Sequence, residues 1–330
     1  MLRRALVALF GVAILAGSGP GDAQVAGTAT VGVIAARPHP VSGEWCVPSR
    51  LTCEQLVALG YAYPYAREPG PYLFVNGAAY PYVDLSTDLL AHASVQIGSA
   101  TVAVADLLKS LDLADRIARP RTAVIGYGSN ATVSALTRKY TAPALRGPAV
   151  IPVTRAMLRD RDVVWSPHLV FNGAMPATIA PSSGTVSEVW INWLDDVELK
   201  RMHDSEGVGT MYSYGTLPAS ALASEVPLSE PPHVYVDCFG ALTLNGAVQA
   251  IASIPAQGRR FAAVDSEQAM QSVAPSIGWT GGVFALLLDN VRFPARRAQR
   301  TRTLAALGQF IADPDYKADC PCGARRCPIP

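Results

Sequence analysis

The sequence predicts an α+β fold in which many short strands accompany two or three helices. Apolar runs of strand length recur through the middle of the chain, and helical periodicity is confined to a few segments. Strands and helices do not alternate as in a regular βαβ array. Half of the 330 residues are hydrophobic, which is enough to bury a sizeable core. We therefore expect a mixed barrel or an α+β core with extensions at both ends.

The N-terminus has the pattern of an export signal. Arg3 and Arg4 precede an apolar stretch from Ala5 to Gly17, and small residues at 21–23 could form a cleavage site. The stretch is too short to span a bilayer, so no transmembrane span is predicted. We expect a secreted, periplasmic or cell-envelope protein that loses residues 1–23. A cytoplasmic protein with a misassigned start codon is the alternative.

Composition divides the remaining chain into three parts. Residues 24–117 form a Tyr- and Pro-rich region with a strand at Ser94–Val104 and a helix at Ala105–Leu113, residues 118–255 form the predicted core, and residues 256–330 form a helical extension with a Cys-rich tail. The Tyr-Pro repeats predict irregular structure whose rings pack on the core, and a sugar- or peptide-binding surface is the alternative.

Charge and cysteine content narrow the possible partners. Only 16% of residues are charged and the net charge is +1, which argues against nucleic acid or an acidic surface as the main partner. The arginines between Arg292 and Arg302 are expected to form a solvated helix face. Six cysteines permit up to three disulfides of open connectivity. A metal site in the tail is the alternative, although Cys320, Cys322 and Cys327 match no zinc spacing well.

The predicted core begins with a strand, a glycine loop and a helix. An apolar run from Ala123 ends in Tyr127-Gly128-Ser129-Asn130, and a helix is predicted at Thr132–Tyr140. Backbone N–H groups at such a helix start lack partners, which makes the loop a candidate site for a carboxylate, a phosphate or an oxyanion.

Further strands and one capped helix complete the core. Strands are predicted at Val163–Phe171, Pro176–Ala180, Val186–Leu194, Met211–Leu217, Val234–Phe239 and Val248–Ile254, and helices at Ser266–Val273 and around Ala295–Ala312. Between them, Asp195 and Glu198 form a capping-box pattern, and Gly207 is placed to end the helix.

Glu206 lies in the last turn of this capped helix, on the face shared by Leu199 and Met202. Burial and the helix C-terminus both raise the pKa of a carboxylate, toward the range useful for acid–base catalysis. A solvated helix-end residue is the alternative interpretation.

The loop alone is compatible with two other chemistries. Gly126-x-Gly128-x-x-Ala131 fits a dinucleotide fingerprint, with Arg155 in place of the usual acid, and would indicate a nucleotide-dependent oxidoreductase. Ser129 could instead be a nucleophile paired with His203 or His233, although the glycines of a nucleophile elbow are missing.

An ordered set of segments resembles the γ-glutamylcyclotransferase-like family. The set comprises Tyr127-Gly128-Ser129-Asn130, Leu169–Gly173 with Pro176–Ile179, Ser182-Ser183-Gly184 with Val186–Trp190, and Asp204-Ser205-Glu206-Gly207-Val208 followed by Met211-Tyr212. The resemblance covers Thr122 to Leu217, and Tyr127 and Glu206 are 79 positions apart, as the family would have them. The chain departs from the family at Ala131, where members usually carry Leu or Met.

The resemblance implies a small mixed β-barrel with flanking helices that releases 5-oxoproline from a γ-glutamyl amide. Glu206 would take the proton of the substrate's α-amine and pass it to the leaving nitrogen. Tyr127, Gly128, Ser129 and Asn130 would hold the glutamyl part, and Tyr212 would line the pocket. No cofactor or metal is implied, and His203 is expected to be a structural neighbour of Glu206. A non-catalytic binding protein of the same fold is the alternative, and the group on the glutamyl nitrogen and the oligomeric state stay open.

Overall fold

The protein is a mixed α+β structure built on one large, mostly antiparallel sheet flanked by helices. The computed structural model describes residues 51–141, 147–324 and 327. The predicted signal peptide and Cys46 lie outside these described residues. Within the described ranges, no helix has the length and apolar character needed to cross a bilayer.

Seven α-helices occur in the described residues. They are α1 (Cys53–Ala62), α2 (Val104–Ser110), α3 (Val133–Tyr140), α4 (Asp196–Glu206), α5 (Ser266–Val273), α6 (Val283–Arg292) and α7 (Pro294–Leu304). Short 3-10 turns lie at Ala114–Arg116, Ser129–Ala131, Ala219–Ala221, Pro275–Ile277 and Ala305–Leu307.

Two long strands form the centre of the sheet. The strands are β1 (Tyr72–Val75), β2 (Ala78–Asp84), β3 (Ser94–Ile97), β4 (Ala100–Ala103), β5 (Thr122–Gly126), β6 (Val150–Trp165), β7 (Ala177–Leu194), β8 (Tyr212–Thr216), β9 (Leu222–Ser224), β10 (His233–Asp237), β11 (Ala241–Leu244), β12 (Ala247–Ile251), β13 (Ala256–Gln257), β14 (Ala262–Val264), β15 (Gly308–Gln309) and β16 (Lys317–Cys320). The longest, β6 and β7, pair with each other over most of their length.

The main path of the sheet runs β16-β8-β10-β5-β7-β6-β1-β2-β3-β4. Its pairs are antiparallel except that β10 runs parallel to β5, and β12 and β14 form a second parallel pair off this path. The two end strands of the path, β16 and β4, pair only with β8 and β3 among the described residues. The α+β class is therefore confirmed, whereas the sheet as described is open and does not form a small closed barrel.

Several predicted elements differ from those in the structure. The strand predicted at Ser94–Val104 is the hairpin β3–β4, which turns at Gly98 with φ +60°. The two strands predicted at Pro176–Ala180 and Val186–Leu194 are one strand, β7. The region predicted to be irregular contains α1, β1 and β2, and α6 was not predicted.

Alternating side chains of the central strands pack into two different clusters, as a two-residue period requires. Ile125 of β5 packs with residues of α1, α5 and α6, whereas its neighbour Val124 packs with residues of α3 and α4. The loop that follows β5 therefore begins at the end of a strand that contributes side chains to both clusters.

Two disulfides secure the C-terminal tail. Cys238, just after β10, bonds Cys322 across 84 positions, and Cys320 of β16 bonds Cys327. These two bonds establish the disulfide pairing of the tail cysteines, which the sequence left open. Cys53 is not a free thiol either.

Candidate functional site

The sequence-predicted residues meet in one cavity of about 440 Å³. The cavity is lined by all four residues of the 127–130 loop, together with Glu206 and Tyr212. The wall also includes Tyr63, Tyr65, Lys139, His168, Leu169, Val170, Phe171 and Arg297. Its volume suits a small molecule of dipeptide size.

The loop is shaped by the strand before it and the helix after it. The last three residues of β5 are buried, and Gly126 is the last residue paired with β7. A 3-10 turn at Ser129–Ala131 follows, and the Thr132 hydroxyl caps α3 by accepting from the N–H of Ala135 at 3.4 Å. No described residue accepts a hydrogen bond from the N–H of Gly128 or Ser129. These two groups are available to an oxyanion or carboxylate.

Gly128 permits a close approach that a side chain would prevent. A Cβ at this position would lie 2.8 Å from the Tyr63 hydroxyl oxygen and 3.2 Å from the Ala177 Cβ. The Tyr63 hydroxyl accepts a hydrogen bond from the N–H of Ala177 at 2.8 Å, so it cannot move without losing that bond. The loop thus packs its backbone directly on the tyrosine.

Tyr127 is held in place by one hydrogen bond at its backbone carbonyl and another at its side-chain hydroxyl. Its carbonyl accepts a hydrogen bond from the Arg67 guanidinium at 2.6 Å, and its hydroxyl donates to the carbonyl of Tyr235 at 2.6 Å. Burial raises the pKa of this hydroxyl well above its usual value, so it remains a neutral donor.

Helix α4 carries Glu206 at its C-terminus and is anchored at its N-terminus. Asp195 and Glu198 form the predicted capping box, and Arg121 contacts the buried Glu198 carboxylate at 2.7 Å. Burial raises the pKa of Glu198 to about 6. Gly207 ends the helix in the left-handed conformation, with φ +60° and ψ +50°, as predicted. Both ends of the helix are therefore set by local sequence.

The Glu206 carboxylate lies against the ammonium group of Lys139, with only 12% and 16% of the two side chains exposed. Asn130 Nδ2 donates to the same carboxylate oxygen at 3.2 Å. Lys139 Nζ also donates to Asn130 Oδ1 at 2.6 Å and contacts Met202 Sδ at 3.4 Å. The loop, α3 and the end of α4 are thus joined by one charged, hydrogen-bonded cluster.

Lys139 changes the electrostatics expected from the sequence. The prediction for Glu206 included burial and the helix end, but no nearby cation. The adjacent ammonium forms an ion pair with the Glu206 carboxylate. Burial in turn lowers the pKa of Lys139, and the Coulomb attraction of Glu206 acts in the opposite direction. The alternative that Glu206 is a solvated helix-end residue does not hold.

Tyr212 and His203 differ in their relation to the cavity. Tyr212 lines the cavity and donates to the carbonyl of Ala177 at 3.3 Å. His203 is outside the cavity lining and pairs through Nδ1 with the Tyr235 hydroxyl at 2.9 Å. Burial lowers the pKa of His203 to about 4, so the ring is neutral near pH 7. Its position agrees with a structural neighbour of Glu206.

Sequence reasoning missed Lys139, His168, Tyr63, Tyr65 and Arg297 as cavity residues. The Tyr-Pro repeats were a usable signal for the two tyrosines, which follow α1. Arg297 was assigned to a solvated face, yet its guanidinium donates to the carbonyl of Asn290 at 3.0 Å. The other two residues carried no local pattern that marked them.

The arrangement bears on the other chemistries considered for the loop. Among the described residues, the Ser129 hydroxyl has no hydrogen bond to His203 or His233, as a nucleophile–base pair would need. The chain leaving β5 crosses through α3 to β6, but the antiparallel strand β7 lies between them. Arg155 donates to the carbonyl of Pro69 at 2.6 Å and is not part of the cavity wall.

No group of three or more His, Cys, Asp or Glu side chains in the described ranges is arranged to hold a metal ion. Comparisons of the chain with protein-family models, curated proteins and solved structures gave no match. Its function therefore has to be argued from the cavity itself.

Proposed function

We propose that this protein is a γ-glutamylcyclotransferase-like enzyme that releases 5-oxoproline from a γ-glutamyl amide or peptide. One observation supports this activity most directly: a buried carboxylate, Glu206, and a loop with two unpartnered N–H groups line the same cavity. That pairing supplies a proton acceptor and an oxyanion site, which an intramolecular acyl transfer requires.

In the proposed reaction, the substrate's α-amine attacks its own γ-carbonyl carbon. A new C–N bond closes the five-membered lactam, and the bond from the γ-carbon to the leaving nitrogen breaks. Glu206 takes the proton from the attacking amine and delivers it to the leaving nitrogen. Since both reacting groups belong to one molecule, orientation supplies much of the rate enhancement.

The loop has two tasks in this reaction. The N–H groups of Gly128 and Ser129 donate to the oxygen that becomes negatively charged as the γ-carbonyl is attacked. Asn130 holds the Glu206 side chain toward the loop through its 3.2 Å hydrogen bond. Tyr127 and Tyr212 restrict the width of the cavity, and both hydroxyls are already bonded to backbone carbonyls.

The Lys139 ammonium pairs with the Glu206 carboxylate and holds it in place. Its ammonium compensates the cost of partly burying the carboxylate, and it accepts no proton itself while it is charged. In this role Lys139 is a positioning residue.

The activity is tested by incubating the protein with γ-glutamyl dipeptides and measuring 5-oxoproline. We expect release by the wild type and a loss of at least about 100-fold in Glu206→Gln, in line with general acid–base catalysis. Asp196→Asn is the matched control, because Asp196 is an exposed carboxylate in the first turn of the same helix. Equal rates in wild type and Glu206→Gln would rule out the assigned role.

The proposal extends to the core architecture and to location. The family resemblance implies that β5–β8 and β10 form the core of a small barrel, and the sequence pattern implies export. The two disulfides in the tail support export, because such bonds persist in oxidising compartments. N-terminal sequencing of the mature protein tests it: a start near residue 24 is expected, and a start at Met1 would contradict it.

A further inference from the structure

His168 lines the cavity apart from Glu206, and the buried carboxylate of Asp237 lies beside it, outside the lining. His168 follows the end of β6, and Asp237 is the last residue of β10. Both side chains are completely buried, and His168 Nδ1 lies 3.1 Å from Asp237 Oδ2. The Ser166 hydroxyl is 3.2 Å from the same nitrogen. The proposed reaction leaves this pair without a role.

The neighbours of His168 determine which of its nitrogens carries the proton. A carboxylate accepts only from an N–H, so the 3.1 Å approach of Asp237 Oδ2 favours the tautomer of His168 with its hydrogen on Nδ1. Nε2 is then a lone-pair acceptor. Among the described residues, this nitrogen has no hydrogen-bond partner although it is fully buried. Buried polar atoms without a partner are uncommon in native proteins.

The surroundings of the pair favour a positively charged donor. Among the described residues, no Lys or Arg forms an ion pair with Asp237, whose partner is His168. The Phe239 ring lies 4.7 Å from the His168 ring, and the Tyr212 ring lies 6.2 Å from it. Aromatic rings and a carboxylate without a Lys or Arg partner both attract cations.

We propose that His168 Nε2 accepts a hydrogen bond from a primary ammonium group of the ligand, with Asp237 holding the ring in the required tautomer. The cavity is thereby selective for amine-bearing ligands over analogues that lack the amine. Where the ligand is a γ-glutamyl compound, which rests on the proposed function, the group is the α-ammonium. One N–H binds His168 and stays on the lactam nitrogen. The other two protons pass in turn through Glu206 to the leaving nitrogen, which departs as an ammonium, and loss of the first frees the lone pair that attacks the γ-carbonyl.

The test compares two ligands that differ only in the amine, γ-glutamylalanine and N-glutarylalanine. Binding to Glu206→Gln, used to prevent turnover, is measured by calorimetry. We expect γ-glutamylalanine to bind at least tenfold more tightly, and His168→Gln in the same background to abolish that preference while leaving the affinity for N-glutarylalanine unchanged. His203→Gln is the matched control, since this buried histidine is outside the cavity lining, and it should retain the preference.

Asp237→Asn and histidine NMR provide independent readouts. An amide at 237 reverses the tautomer preference, so Nε2 becomes a donor and the preference for the amine should again be lost. In the protein with ¹⁵N-labelled histidines, of which there are five, the His168 Nε2 signal should shift with γ-glutamylalanine and not with N-glutarylalanine. An unshifted signal, or an equal preference in His168→Gln, overturns the inference.

The same measurements separate this inference from the proposed function. A shifted His168 signal without 5-oxoproline release would support the amine-binding site and contradict the proposed cyclisation. Release of 5-oxoproline with an unshifted His168 signal would support the proposed reaction and contradict the role of His168.

Discussion

The pair formed by Lys139 and Glu206 gives a stability prediction whose size follows from its burial. Replacing Lys139 with Met keeps the side-chain length but leaves the carboxylate with only neutral donors, Asn130 Nδ2 at 3.2 Å and the Ser205 hydroxyl at 3.5 Å, among the described residues. Removing one partner of a fully buried pair costs about 3–5 kcal/mol, and an exposed pair contributes about 0.2–1 kcal/mol. Since 12% and 16% of these side chains are exposed, we expect Lys139→Met to lower the free energy of unfolding by about 2 kcal/mol.

A double-mutant cycle separates this pair from other effects of the substitution. Urea unfolding of wild type, Lys139→Met, Glu206→Gln and the double variant should give a coupling energy of about 1–2 kcal/mol. The matched control is the Lys200–Asp204 pair on α4, whose side chains are 68% and 54% exposed at 3.3 Å. Its cycle should give about 0.3–0.5 kcal/mol.

Comparing the coupling energies from the two cycles tests the role assigned to Lys139. Coupling between Lys139 and Glu206 no larger than that of the control pair would show that the cation does not stabilise the carboxylate. Lys139 would then not be a positioning residue for Glu206.

Three further outcomes are expected. Gly128→Ala should reduce 5-oxoproline release more than about tenfold, because a displacement of the loop from the substrate by about 1 Å can cost that much. Gly70→Ala is the control and should match wild type, because a Cβ there meets open space. Equal effects of the two substitutions would refute the packing argument. His203 has a pKa of about 4 in the fold against an ordinary 6.5, so its contribution to stability is complete above pH 6.5 and is lost as the pH falls to 4. Urea midpoints should show this loss, about 1–3 kcal/mol, in wild type and not in His203→Gln; parallel curves would contradict it. Cys238→Ser opens the 84-residue loop closed by Cys322 and should cost about 4 kcal/mol on the chain-entropy model; an unchanged urea midpoint would contradict it.

Features set by adjacent residues were predictable from the sequence. The capping box of α4 and the left-handed Gly207 involve contacts over three or four positions, so the helix bounds follow from local pattern. The same holds for the strand, loop and helix around Gly128. These two segments supply the loop and Glu206, the part of the site that the sequence predicted.

Features set by long-range pairing were not predictable in the same way. Lys139 meets Glu206 across 67 positions, and no pattern around it distinguishes it from a solvated lysine. Arg161 of β6 pairs with both Pro181 and Val186 of β7, so residues 182–185 form an excursion from the ladder in which Gly184 has φ +80°. The turn composition marks this excursion, but the pairing of both flanks with the same long strand β6 is a long-range feature.

The central claim is that Glu206 promotes attack by the substrate's own amine and not by water. The most direct measurement is mass spectrometry of the products from γ-glutamylalanine in H₂¹⁸O, with wild type and Glu206→Gln compared. Cyclisation predicts 5-oxoproline without ¹⁸O, formed by the wild type and at least about 100-fold more slowly by the variant. Glutamate carrying ¹⁸O as the primary product, or equal rates in the two proteins, would contradict the account.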